Sequence, residues 1–336
     1  MNALLDVRDL RVEFKLSGRR TAPLRAVDDV SFDVLPGETV GLVGESGSGK
    51  STIGRAVLGL VDPTAGQITF DGARIDSAGT AERRRLAREL QVVFQDPYNS
   101  LDPLRTIGHT LAEPLTAARL ADGADARRIV SSVIERVGLP ASVLDRKPRE
   151  FSGGQRQRIA IARALVVNPR LIVCDEAISA LDLSTQAQVL NLLDDLQDDL
   201  GVAYLFIAHD LTVVQHVSDR VLVLYRGQIM EAGPAAEVCA DPQHPYSVAL
   251  WTAAPVHDPV AQRAKRAAAR AVAASASTSL RAETSHGCAF ASRCPHVMDV
   301  CWTTRPAPVE VGARKVACHL FGPVMAQEVS DTTCAV

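Results

Sequence analysis

Gly44-Glu45-Ser46-Gly47-Ser48-Gly49-Lys50-Ser51-Thr52 is the stretch on which the reading of this chain turns. It matches G-x-x-x-x-G-K-[ST], a pattern that serves many phosphate chemistries and alone says only that a phosphorylated ligand binds. Its flanks supply the context the pattern needs. Glu38-Thr39-Val40-Gly41-Leu42-Val43 ends apolar and reads as a buried strand, while Ser51 to Leu58 reads as an amphipathic helix. In that setting Gly44, Gly47 and Gly49 let the backbone turn with its N–H groups inward, and the helix start adds partial positive charge. A triphosphate is the predicted ligand. Lys50 is expected to reach its β and γ phosphates, and the Ser51 hydroxyl to ligate a bridging Mg2+. The alternative is a glycine-rich strand-to-helix turn with no ligand, and the full match in full context weighs against it.

A second strand carries acids. Leu171-Ile172-Val173-Cys174-Asp175-Glu176 is apolar and ends in two carboxylates, at the strand end where open α/β sheets bind ligands. Asp175 is placed to hold Mg2+ through its water shell, and Glu176 to polarise or deprotonate the water that attacks the γ phosphate. The plain alternative, acids that end a strand and cap the next helix, loses ground beside the phosphate loop.

Composition bounds the rest. With 336 residues, one large domain and a smaller appendage are expected. Hydrophobic residues are 47% and charged residues 22%, and no apolar run approaches the ~20 residues of a membrane-spanning helix. The first ten residues are charged and lack the order of an export signal, so a cytoplasmic location is expected. A net charge of -3 leaves no basic footprint for nucleic acid; Arg83-Arg84-Arg85 reads as a solvated helix face.

Up to about residue 75 the pattern is strand-rich, with Leu10 to Phe14 alternating and Gln67 to Phe70 ending at the hairpin-type turn Asp71-Gly72. After the strand Leu90 to Phe94 the pattern turns helical to about residue 168, broken at Pro97, Pro103, Pro114, Pro140 and Pro148. An inserted helical subdomain over 96–160 is expected. Strands return at Leu171 to Cys174 and Tyr204 to Ala208 around a helix from about Thr185 to Leu200, which predicts a doubly wound α/β core with a parallel sheet. Residues 259–285 are rich in Ala, Arg and Ser and read as a linker, and a Cys-rich tail follows.

Phe151-Ser152-Gly153-Gly154-Gln155-Arg156-Gln157-Arg158, about 20 residues before the acidic pair, resembles the signature motif of ABC ATPases, with Phe151 where that family usually has Leu. The segment opens a strongly periodic helix and presents a hydroxyl, N–H groups and a helix N-terminus to an anion. The resemblance implies that Ser152, Gly153, Gly154 and Gln155 meet the γ phosphate of ATP held by a second, head-to-tail cassette. It covers residues 4 to 254 and implies an ABC-type P-loop nucleotide-binding domain over 1–258: a mixed β layer, a parallel core sheet and the inserted helices. It also implies roles for three weaker positions: Gln95 as the Q-loop residue that contacts Mg2+ and the membrane partner, His209 as the switch histidine, and Ser179-Ala180-Leu181-Asp182 as the D-loop at the dimer interface. A lone His at a strand end is more often structural, so His209 depends on the set. No aromatic stands in an obvious place before Val27 to stack on adenine, and Phe14 is the candidate.

Within that family, Gln95-Asp96-Pro97-Tyr98-Asn99-Ser100-Leu101-Asp102-Pro103, His244-Pro245-Tyr246 and the tail resemble the oligopeptide and dipeptide permease ATPases. Of the seven cysteines, Cys174 and Cys239 stand alone, Cys288, Cys294, Cys301 and Cys318 crowd together, and Cys334 trails. Crowding in a reducing compartment suggests metal before disulfide. The C-x5-C, C-x6-C and C-x16-C spacings leave a [4Fe-4S] cluster, Zn2+ and unliganded thiols all open, and the resemblance favours the cluster, as a structural staple of an extension over 286–325 before a tail at 326–336.

The resemblance thus implies a peripheral ATPase on the cytoplasmic face of the membrane, hydrolysing ATP with Mg2+ beneath two transmembrane permease subunits. Its other partners would be a second, paralogous ATPase and an extracytoplasmic peptide-binding protein. A nickel or glutathione importer of the same branch competes with the peptide reading, and a soluble ABC ATPase competes more weakly, since neither a second cassette nor a long coiled coil is present. A cassette that only binds ATP would predict degenerate motifs, against which Asp175, Glu176, Gly153 and His209 argue.

Overall fold

The computed structural model describes residues 2–15, 23–96, 101–253 and 286–322. They fall into two compact units, the first of Met1–Leu10, Ser31–Val40 and Ser51–Ala208, the second of Arg11–Val30, Gly41–Lys50 and His209–Val336. The strands β1 (Leu5–Phe14), β2 (Leu24–Val34) and β3 (Thr39–Val43) and the helix α1 (Lys50–Val57) each give residues to both. Pro97 to Ser100, the linker at 259–285, Cys334 and the tail at 326–336 lie outside the described residues.

The first unit continues with β4 (Ala65–Phe70), β5 (Ala73–Arg74), α2 (Thr80–Glu89), β6 (Leu90–Phe94), α3 (Ile107–Ala117), α4 (Gly123–Arg136), α5 (Gly153–Leu165), β7 (Leu171–Asp175), α6 (Leu183–Leu200) and β8 (Ala203–Ile207). Strands β6, β7 and β8 are parallel neighbours, and their register sets Phe94, Asp175 and Ile207 abreast at the carboxyl ends. Such strands are covered on both faces, which is why Leu171 to Cys174 and all of β8 read as unbroken apolar runs and are buried. Cys174 is part of that packing, its thiol pushed up to about 12 by burial. At Asp71 and Gly72, φ values of 51° and 75° make the tight turn that the sequence places between β4 and β5. The expected break at Pro114 does not occur: α3 runs through it to Ala117. Proline there comes late in the helix, so one backbone hydrogen bond is all that is lost before the helix ends.

The second unit holds α7 (Leu211–Val217), β9 (Arg220–Tyr225), β10 (Gln228–Pro234), α8 (Ala235–Ala240), α9 (Pro245–Ala253), the short α10 (Val300–Thr303), β11 (Val309–Val311) and β12 (Arg314–Val316). The tail is more than a cysteine cluster. Its hairpin β11–β12 joins the sheet edge in the antiparallel order β11-β12-β10-β9, with Glu231 opposite Val316.

Helix α9 shows what the His-Pro-Tyr triplet does. Pro245 opens the helix at its first position, where its missing N–H costs nothing. His244 precedes it, and its Nδ1 accepts from the Tyr246 N–H at 2.9 Å, a cap that needs a neutral ring. The buried Glu231 carboxylate accepts from the backbone N–H groups of Gln243 and His244, at 2.9 Å each. Burial pushes His244 down to about 4 from 6.5. The unfolded chain therefore binds this proton at higher pH than the folded one, so the stability it gives is complete above about pH 6.5 and is lost as pH falls towards 4. Substituting His244→Asn keeps a cap acceptor without that titration. Its melting temperature is expected to fall less than that of the wild type between pH 7 and 5, and equal slopes would remove His244 as a cause.

Candidate nucleotide site

The phosphate loop is built in the second unit up to Lys50. Gly44 and Gly49 have φ of 152° and 107°, and a Cβ there would sit 2.0 Å from the Leu224 carbonyl oxygen and 2.3 Å from that of Ala26. Only glycine fits either place. The Gly227 N–H donates to the Ser48 carbonyl at 2.7 Å, pinning the loop from the turn between β9 and β10. Lys50 is 4% exposed, and its ammonium donates to the carbonyls of Gly44 at 2.8 Å and Glu45 at 3.0 Å. A buried cation facing these carbonyls can exchange them for phosphate oxygens.

The first unit carries the acids. Ser51 donates its hydroxyl hydrogen to Asp175 Oδ1 at 2.7 Å, so two of the residues expected to hold Mg2+ are already in contact. Two hard oxygen donors at a strand end suit that ion. Gln95 directly follows β6 and Glu176 directly follows β7 on neighbouring parallel strands, at one edge of the sheet. Glu176 has φ of 51°, a left-handed conformation costly for a side chain of this kind, and it turns the chain sharply out of the strand. The turn is fixed by the Glu176 N–H donating to Ile207 at 2.9 Å and by its carbonyl accepting from the Ser179 hydroxyl at 2.9 Å. His209 follows β8 by two residues, just before Asp210, which caps α7.

Signature and D-loop meet within the same unit. Ser152 and Gln155 form a reciprocal capping box: the Ser152 hydroxyl accepts from the Gln155 N–H at 3.4 Å, and the Gln155 side chain accepts from the Ser152 N–H at 3.1 Å. Asp182 caps α6, accepting from the Thr185 N–H at 3.0 Å, and its bonds to the Ser184 and Thr185 hydroxyls help push its carboxyl down to about 2. A Cβ on Gly154 would lie 2.3 Å from Thr185 Cγ2, so the two helix starts touch where only glycine allows it. Phe151 is buried under the Arg146 guanidinium, 4.6 Å from the ring centre, which explains an aromatic ring at this position.

An ABC transporter family model matches residues 27–179, and a model of the oligopeptide/dipeptide transporter C-terminal region matches 230–301. A peptide import ATP-binding protein of Brucella abortus strain 2308 is 50% identical over 316 residues, covering 94% of this chain and 92% of its own length. The chain belongs to the ABC transporter ATPases. A Brucella ovis peptide import ATP-binding protein is 50% identical over 92% of this chain and 94% of its own. Among solved structures, the ATP-binding cassette MJ0796, a dimer in a post-hydrolysis state with ADP and Pi, matches with a TM-score of 0.61 at 28% identity, over 69% of this chain and 98% of that one. The cbiO1 protein of Clostridium perfringens, part of a cbiONQ ABC transporter complex, gives a TM-score of 0.63 at 27% identity, over 72% and 92%.

For this ATPase the tail departs from expectation. Cys288, Cys294, Cys301 and Cys318 are free, and Cys288 and Cys294 each feel the charge of others in the set. Yet among the described residues no three metal-ligating side chains are arranged to hold one ion. Burial pushes the Cys288 thiol up to about 11 and that of Cys294 to about 12, which favours their protonated forms. Phe14, the candidate for base stacking, ends β1 at 40% exposure. Thr185 and Arg293 touch the motifs with no signal in the sequence, whereas Tyr246, which also touches the phosphate loop, stands out in its His-Pro-Tyr setting.

Replacing Ser152 by Ala removes half of the capping box and is expected to cost about 1 kcal/mol in urea unfolding. Ser152→Asp restores a cap acceptor and is expected to recover most of that loss; an unchanged midpoint in the Ala variant would show the box idle.

Proposed function

We propose that this ATPase powers import of di- or oligopeptides across the cytoplasmic membrane, as a peripheral subunit on its cytoplasmic face. The single observation that carries the reading is the coupling of an intact cassette to the C-terminal region of oligopeptide/dipeptide transporters in one chain. Among the described residues no helix is long and apolar enough to cross a membrane, so translocation falls to partners. Those partners are two transmembrane permease subunits, a second and paralogous ATPase, and an extracytoplasmic peptide-binding protein. A groove of about 350 Å³ supports permease docking: it lies beside Gln95, is lined by Phe94, Pro114, Ala117, Ala160 and Arg163, and leaves Phe94 42% exposed.

In this reading Lys50 leaves the carbonyls of Gly44 and Glu45 for the β and γ phosphates, and the loop from Gly44 to Thr52 forms the rest of the cradle. Ser51, Asp175 and Gln95 would hold Mg2+, which would supply positive charge against that developing on the phosphates. Glu176 accepts the proton of the attacking water as its oxygen bonds to the γ phosphorus and the bond to ADP breaks; His209 orients that water. The capped start of α5 in the partner meets the same γ phosphate, and Ser179 to Asp182 line the seam. ATP thus favours the closed pair, and hydrolysis releases it.

Glu176→Gln is expected to bind MgATP normally and to lose about a hundredfold or more in turnover, together with uptake of a labelled tripeptide by cells carrying the transporter. Near-normal hydrolysis would remove Glu176 as base, whereas lost nickel or glutathione uptake with intact peptide uptake would move the solute.

The tail's finer reading is a [4Fe-4S] cluster, with Zn2+ as the alternative. Family resemblance and four neighbouring thiols support it, and it requires those thiols to turn together and give up their protons. Protein purified without oxygen is expected to carry about four iron and four sulfide per chain, lost on Cys294→Ser. Zinc would select the alternative, and neither element would leave the thiols as packing.

A further inference from the structure

Glu45, the second residue of the phosphate loop, is gripped by the tail 248 positions away. The Arg293 guanidinium donates from its two terminal nitrogens to the two Glu45 carboxylate oxygens, at 2.9 Å each. It also donates to the Tyr225 hydroxyl at 3.4 Å and lies 5.6 Å from the centre of the Phe290 ring. The Glu45 backbone N–H donates to the Tyr246 hydroxyl at 3.0 Å, and the Tyr246 ring packs on Tyr225 and Phe290 with centroids 4.5 and 5.4 Å apart. Backbone and side chain of one loop residue are therefore both tied to this cluster. A second tail arginine, Arg305, donates to the Asp28 carbonyl at 3.0 Å, and the Asp28 N–H donates to Gly227, the residue that pins Ser48.

The ion pair is about half exposed, 49% and 42%, so its worth to folding is small. Its place gives it another effect. A bare carboxylate on a loop that must hold a triphosphate repels the ligand, and a bidentate guanidinium cancels that charge. We propose that Arg293 is a positioning residue for MgATP: it neutralises Glu45 and holds the front of the phosphate loop, so that the C-terminal extension sets nucleotide affinity. The proposal rests on the ATPase reading and adds the tail's part in it.

The test uses the full chain, with KM and kcat for MgATP from steady-state hydrolysis and its dissociation constant from calorimetry. Arg293→Ala is expected to raise KM and the dissociation constant about threefold to fivefold at low salt, with kcat within about twofold. Arg293→Lys is expected to recover part of the loss, and added salt to shrink it. The deciding variant is Arg293→Ala combined with Glu45→Gln, which removes both charges and is expected to return the affinity towards wild type. Unchanged affinity in Arg293→Ala, or a double variant as weak as the single one, would overturn the proposal. A wild-type chain that binds MgATP without turnover would instead count against the ATPase reading alone, since the calorimetric ratios still decide the role of Arg293.

Discussion

A buried ammonium organises the nucleotide loop. Lys50 is almost wholly withdrawn from water and donates to the carbonyls of Gly44 and Glu45, which therefore point inward. That curvature brings the backbone within reach of the Leu224 and Ala26 carbonyls, where a side chain has no room, and so the glycines at 44 and 49 follow from the lysine as much as from the ligand. Burying an ammonium is costly in a low-dielectric setting, and phosphate oxygens brought against it lessen that cost.

In the first unit the same economy appears at a sheet edge. Parallel register places the ends of β6, β7 and β8 side by side, so Gln95 comes beside the acids Asp175 and Glu176 although α3, α4 and α5 lie between them in the chain. Leaving the strand there demands a left-handed residue, and it is Glu176, the proposed base, that adopts it. Asp182, Thr185 and Gly154 then link the D-loop to the signature helix through one cap and one close approach.

The tail belongs to the sheet and to the aromatic cluster under the phosphate loop. Its hairpin extends the edge at β10, and Trp302 and Cys301 form a small core of their own with Ala291. Burial pushes the Cys288 and Cys294 thiols up, and neighbouring cysteine charges add to that shift. Any ion they bind must repay their deprotonation.

The sequence determined by itself what rests on local chemistry and period. The strand-loop-helix around Lys50, the apolar strand ending in Asp175 and Glu176, the Asp71-Gly72 turn and the capped signature helix were all legible, since each depends on residues within one or two turns of chain. Only the tertiary structure decided what depends on distant partners. It carried α3 through Pro114, left the tail thiols without metal-ligand geometry among the described residues, and brought Arg293 and Tyr246 onto Glu45. Spacing along a chain carries no record of side-chain direction, and an arginine in a cysteine-rich tail looks the same whether it faces water or a carboxylate far away in sequence.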